Sequence, residues 1–147
     1  NTGWKTGYCL APKNLMDEFR KAHQYIVFSA NTPIQYGLAE YLKDENNYLS
    51  LNEFYQTKRD LFNKLIKDSK FEILPVSGTY FQLLRYSKIT DAADTDFAIE
   101  LIKKHKIASI PVSVFYHQKV VEKVLRFCVA KEEETLHAAA EILNGIS

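Results

Sequence analysis

A strand needs a neighbour, and the opening of this chain offers a strand without one. Residues 1–43 read as an apolar run, Tyr8-Cys9-Leu10-Ala11, followed by two helices. One strand and two helices cannot bury enough surface to close a core. The run is led in by Asn1 to Tyr8, a glycine-punctuated, aromatic-flanked lysine segment of the kind that sits inside a domain. Residues 1–47 are therefore expected to be the C-terminal end of a larger domain, completed by strands from elsewhere. Within them Pro12 suits the N1 position of a helix, and Leu15, Met16, Phe19 and Ala22 recur at helical spacing. Thr32 reads as an N-cap with Pro33 behind it. Ile34, Leu38, Ala39 and Leu42 share one side of a second helix. The polar stretch Asp44-Glu45-Asn46-Asn47 marks the boundary.

Residues 48–147 are expected to form a second domain. Leu51, Phe54, Tyr55, Leu61, Phe62, Leu65 and Ile66 make the apolar stripe of a long helix capped by Asn52. Phe71 to Leu74 and Thr79 to Tyr86 are rich in strand formers and flank a Ser77-Gly78 turn. Asp94 can cap a helix running through Phe97, Ala98, Leu101 and Ile102 into the basic cluster Lys103 to Lys106. Short strands are expected at Ile107–Ile110, at Val112–Tyr116 beyond Pro111, and at Val124–Ala130. A last helix packs through Leu136, Ala139, Ala140 and Leu143 and stops at Gly145. The order helix, strand, strand, helix, strand, strand, helix predicts an α+β two-layer sandwich, a small sheet with helices on one face.

With 19 basic and 18 acidic side chains the net charge is +1, which gives no electrostatic case for nucleic acid or an anionic membrane. The longest apolar runs are too short or too interrupted to span a bilayer. Cys9 and Cys128 lie inside apolar strand-like runs and read as free, buried, reduced thiols of a cytosolic protein. A disulfide between them is the alternative that count allows. The histidines never pair at a metal-binding spacing and no CxxC is present, so a metal site is not expected.

Arg126 is the first candidate for chemistry. Strand alternation puts it on the face of Cys128 and opposite Leu125, Phe127 and Val129. An arginine among so many apolar neighbours is costly to bury unpaired. It either reaches solvent or an acidic partner, or presents its fork of donors to a ligand carboxylate, which lysine cannot match. Lys5 is the second. A lysine in a loop is most often solvated, but small flanking residues let backbone approach a ligand, and an ammonium suits a phosphate.

In chain order, the segments Thr2-Gly3-Trp4-Lys5-Thr6-Gly7-Tyr8, Ala11-Pro12, Phe19 to Gln24, Thr32-Pro33, Gly78-Thr79-Tyr80-Phe81 and Leu125 to Lys131 resemble a known set. They are similar to fold-type I pyridoxal 5'-phosphate (PLP) enzymes, the class I/II aminotransferases, and within these to the methionine/kynurenine (glutamine-type) subgroup. The likeness spans the chain and well under half of such an enzyme. It implies an α/β fold, with residues 1–47 as the end of the large PLP-binding domain and 48–147 as the small C-terminal domain, joined by the helix near Asn52. It further implies that Lys5 holds the PLP phosphate and that Arg126 binds the α-carboxylate of the substrate.

Phe28, just before the break between the first two helices, corresponds by resemblance to an aromatic that reaches into the neighbouring subunit's pocket. It also reads as a loop aromatic covering the core. Tyr80 corresponds to a residue approaching the substrate and also has a plain strand reading. The Schiff-base lysine of the family lies upstream of Thr2-Gly3-Trp4, before Asn1. No catalytic residue is therefore assigned within this chain, and the 147-residue piece alone is not expected to transaminate. The implied activity moves an amino group from an apolar, aromatic or sulfur amino acid to a 2-oxo acid, in a cytoplasmic homodimer with no nucleic-acid or membrane partner.

Two alternatives remain at this stage: a PLP-dependent C–S lyase of the same fold, and a non-catalytic regulatory module binding a free amino acid through Arg126. An RNA-binding reading of the strand aromatics lacks the glycine–aromatic signature such modules carry.

Overall fold

A computed structural model describes residues 3–118 and 122–146; Asn1 and Thr2 of the opening motif lie outside them. The chain divides into two compact units, residues 1–50 and 51–147. Among the described residues no helix is long and apolar enough to cross a membrane.

The first unit holds α1 (Lys13–Ile26), α2 (Thr32–Tyr41) and the short α3 (Asn46–Leu49). Pro12 is the N-cap of α1 rather than its first residue; its carbonyl accepts from the N–H groups of Leu15 and Met16, each at 3.0 Å. The cap of α2 is Asn31, one residue before the expected Thr32, and its Oδ1 accepts from the Ile34 N–H at 3.2 Å. A side-chain carbonyl oxygen satisfies an orphan helix donor, so Asn31 takes the role and Thr32 becomes the first helical residue. The strand expected at Tyr8–Ala11 does not form among the described residues; these residues join no ladder. A strand exists only where a second segment takes up its N–H and C=O groups. Among its described residues this unit has no buried side chain, and Tyr8, Leu10 and Phe28 are each 87% exposed. The element count requires this outcome.

The second unit opens on α4 (Leu51–Leu65), one residue before the expected Asn52 cap. Four strands follow: β1 (Glu72–Ile73), β2 (Phe81–Arg85), β3 (Ile110–Pro111) and β4 (Val124–Cys128). They form one antiparallel sheet in the order β1-β2-β4-β3. Between β2 and β3 runs α5 (Asp94–Glu100), whose last turn, Leu101–His105, widens into a π-helix and ends at left-handed Lys106. The chain closes with α6 (Glu133–Asn144).

One face of the sheet is buried against these helices. Leu84 and Tyr86 from β2 and its end, and Leu125, Phe127 and Val129 from β4 and its end, meet Phe62 of α4 and Ile66 just after it, Phe97 and Leu101 of α5 and the turn after it, and Leu136, Ala140 and Leu143 of α6. Phe127 lies between two rings, 6.4 Å from Phe62 and 6.3 Å from Phe71. Each fully enclosed leucine contributes about 1.5–3 kcal/mol of burial. This is the layered arrangement that the period of the apolar residues predicts.

Four expectations are corrected here. The run Val112–Tyr116 is not a strand; Ser113–Phe115 form a 3-10 turn, and the preceding strand shrinks to Ile110–Pro111. Asp94 is the cause. It is the first residue of α5, not its cap (Ala93 is), and its carboxylate accepts from the Ser113 N–H at 2.8 Å and the Ser113 hydroxyl at 2.6 Å. The thiols of Cys9 and Cys128 are free but exposed rather than buried. Cys9 has no sheet around it, and Cys128 points away from the helices on the open face of β4.

Candidate functional site

The open face of the sheet has Arg126 at its centre. In β4 it stands opposite Leu83 of β2 on one side and Ile110 of β3 on the other. Alternation sends Leu125 and Phe127 into the core and leaves Arg126 half-buried on the other face. Its guanidinium carbon lies 4.1 Å from the ring centre of Phe81 and 4.9 Å from that of Phe115. Its Nε is buried without a hydrogen-bond partner among the described residues. No acidic group there comes within ion-pair distance of it, nor does it donate to any acceptor.

The other two arginines of this unit behave differently. Arg85, on the same open face, pairs with Glu72 at 3.0 Å. Arg59 donates to the Val76 carbonyl at 3.0 Å and meets Asp60 at 3.3 Å. Internal pairing, one of the two readings left open for Arg126, is thus what Arg85 does and what Arg126 does not do among the described residues. A half-buried cation held by ring faces has its hydrogen-bond donors unspent, a state that native proteins rarely leave without a purpose.

Tyr80 reaches this cluster through Phe81. It lies just before β2, is 41% exposed, and its ring packs tilted against those of Phe81, at 4.5 Å, and Tyr55, at 5.6 Å. Its carbonyl accepts from the Val129 N–H at 2.9 Å, so its backbone continues the ladder. Lys5 and Phe28 belong to the first unit, on loops at opposite ends of α1, and both are exposed. Both have left-handed backbone, φ 55 and 65, as does Thr79 (φ 69) beside Tyr80. A non-glycine residue in that region costs of order 1 kcal/mol or more, and such residues cluster at functional sites. The residues that sequence reasoning missed are Phe81 and Phe115 as partners of Arg126, and Asp94 behind Ser113. Pro111 signals only that a strand is unfavourable through that point; nothing local records the contact of Asp94 with Ser113.

At the rim of the face, the Tyr116 hydroxyl lies 3.3 Å from Glu122, whose charge raises the tyrosine pKa above its ordinary value. Lys123 hydrogen-bonds Asp91 and lowers the pKa of that carboxyl. The acids near the start of β4 are thereby engaged with other groups.

The chain is similar to known proteins over nearly its whole length. The methionine aminotransferase of Escherichia coli K12 is 48% identical over 146 residues, covering 99% of this chain and 38% of that protein. A kynurenine–oxoglutarate transaminase of Dictyostelium discoideum is 33% identical over 165 residues, covering 97% of this chain and 38% of its own length. The crystal structure of E. coli YbdL, described as having a methionine aminotransferase function, superposes with a TM-score of 0.91 at 46% identity, over 97% of this chain and 38% of that one. The chain thus spans a little over a third of the relatives it matches. The family described as aminotransferase class I and II matches residues 1–143, and the chain belongs to it.

Proposed function

We propose that this chain is the C-terminal part of a PLP-dependent aminotransferase that takes a methionine- or kynurenine-like amino acid and a 2-oxo acid in turn. Arg126 binds the carboxylate common to both. Residues 1–47 close the large domain and residues 48–147 form the small one, with α4 as connector. The whole enzyme works as a cytoplasmic homodimer. The observation that carries this reading is the guanidinium of Arg126, set on a strand between two rings with no internal acceptor among the described residues.

The chain also has a group that fits the cofactor. Lys5 presents an ammonium with no ion-pair partner among the described residues, and the glycines on either side, Gly3 and Gly7, have open space where a side chain would begin. A compact cation with approachable backbone suits a phosphate dianion. When bound, PLP supplies the electron sink and the carrier for the amino group. The part played by this chain is to hold that phosphate through Lys5 and to orient the carboxylate through Arg126. Phe28 supplies apolar surface to the neighbouring subunit's pocket, and Tyr80 approaches the substrate from the small domain.

Arg126→Lys in the full-length protein tests the reading. It keeps the charge and removes the two-pronged geometry. Use of amino acid and 2-oxo acid should both weaken by about 2 kcal/mol, roughly 30-fold in kcat/KM, with PLP retained. Unchanged kinetics would take Arg126 out of the site.

A further inference from the structure

We propose that Phe115 is a positioning residue for Arg126, and that Asp94 holds Phe115 in place through Ser113. The proposal rests on the reading of Arg126 as the carboxylate-binding group. A free arginine side chain carries about 2 kcal/mol of rotamer entropy, which a binding site must remove in advance or lose on binding. Hydrogen bonds to an acid or a carbonyl are the common restraint, as for Arg85 and Arg59. For Arg126 the restraint is aromatic. Ring faces attract the cation within about 6 Å without consuming an N–H donor. The rings therefore fix the guanidinium while its Nη donors remain available.

The two rings are held by different means. Phe81 is part of the β2 ladder opposite Cys128. Phe115 is 61% exposed on a 3-10 turn outside the sheet, and the hydrophobic core does not include it. The turn is closed by the Phe115 N–H donating to the Val112 carbonyl and the Tyr116 N–H to that of Ser113, each at 3.1 Å. Asp94 anchors it from below. Asp94 is 8% exposed, and its carboxylate takes both donors of Ser113, at 2.8 and 2.6 Å, and the Thr95 N–H at 3.0 Å. Its charge also sits in the first turn of α5, where the helix dipole favours it. Asp94, Ser113, Phe115 and Arg126 thus form a continuous series from the buried start of a helix to the open face of the sheet.

The exposure of Phe115 makes the test clean, because truncating it leaves the core untouched. Two measurements are needed on Phe115→Leu, Phe115→Tyr and Ser113→Ala. The first is the NMR signal of the Arg126 Nε–Hε group in the 147-residue chain without ligand, where a ring stacked on the guanidinium displaces the resonance. The second is steady-state kinetics of the full-length protein with L-methionine and a 2-oxo acid, with Arg126→Lys as reference. Phe115→Leu and Ser113→Ala should lose the Phe115 share of the ring displacement, leaving that of Phe81, and raise KM about fivefold for both carboxylates at unchanged kcat, the size of a partly exposed cation–ring contact. Phe115→Tyr should retain wild-type behaviour. A Phe115→Leu protein with wild-type resonance or wild-type KM overturns the positioning role, while a crippled Arg126→Lys keeps the carboxylate reading. An Arg126→Lys protein that works normally overturns the carboxylate reading and this proposal with it.

Discussion

Asn63 donates through Nδ2 to Oε1 of Gln82 at 3.0 Å, a bond that ties α4 to the sheet from inside the core. Gln82 is 1% exposed, and its own amide donates to the carbonyls of Leu74 at 2.7 Å and Leu83 at 3.0 Å. One side chain thus satisfies buried groups on a helix and on two chain segments at the β1–β2 edge. Gln82→Leu keeps the volume and leaves the Asn63 amide and the Leu74 carbonyl without this partner. It should cost about 1–3 kcal/mol of unfolding free energy. Urea denaturation of the chain measures it, and a midpoint equal to wild type would mean the network adds nothing.

Leu143 and Leu15 make a contrasting pair. Leu143 is fully enclosed by the core of the second unit, whereas Leu15 on α1 is 57% exposed. Leu143→Ala should lower stability by about 2–5 kcal/mol through lost burial and the cavity left behind. Leu15→Ala in the same 147-residue chain should stay within about 0.5 kcal/mol. Similar losses at both positions would mean that the first unit has a core of its own.

Tyr86 links the fold to alkaline pH. It is fully enclosed, and its hydroxyl donates to the Ala92 carbonyl at 2.9 Å. Desolvation first, then the charges of Asp94 and Asp96, push its pKa up to about 12. The fold favours the protonated phenol, so the unfolded chain loses this proton first. The contribution is intact below the ordinary tyrosine value of about 10 and is lost as pH rises through about 12. Unfolding curves across that window should show stability falling with pH, and falling less in Tyr86→Phe. The late step in the phenolate absorbance of the chain should vanish in that variant. Identical pH dependence in the two proteins would assign the fall to other groups.

What the sequence reveals depends on how local the cause is. The stripe Leu136, Ala139, Ala140 and Leu143 is legible because a helix period places those residues on one face. Leu136, Ala140 and Leu143 are buried in the core and Ala139 packs against it. Arg126 was legible by the same logic at a period of two, and so was the outward face of Cys128. The burial expected of that thiol came from its apolar neighbours and ran against the alternation that placed it beside Arg126. Val112–Tyr116 was misread because β-branched and aromatic composition favours a strand. The grip of Asp94 on Ser113, 19 residues away in sequence, is a tertiary contact that no local pattern records. Phe115 could therefore not be placed over Arg126 in advance. Tyr8–Ala11 has strand composition, but a strand also needs a ladder partner, and none pairs with it among the described residues.

Lys5 offers the remaining test, on the cofactor side. It is exposed, its backbone is left-handed at φ 55, and Gly3 two residues earlier is left-handed at φ 92. Lys13, by contrast, is paired with Asp17 at 2.7 Å on the surface of α1. A cation with no ion-pair partner among the described residues, on a strained loop, is available to an anion, whereas a paired one on a helix is already occupied. In the full-length protein, Lys5→Ala should weaken PLP retention by about 1.5–3 kcal/mol, roughly ten- to a hundredfold in dissociation constant, as for loss of one charged hydrogen bond. Lys5→Arg should keep most of the retention, and Lys13→Ala should keep all of it. Cofactor absorbance after dialysis against PLP-free buffer reads the three variants directly. If Lys5→Ala and Lys13→Ala retain cofactor equally, the phosphate is held elsewhere and Lys5 is a solvated loop residue.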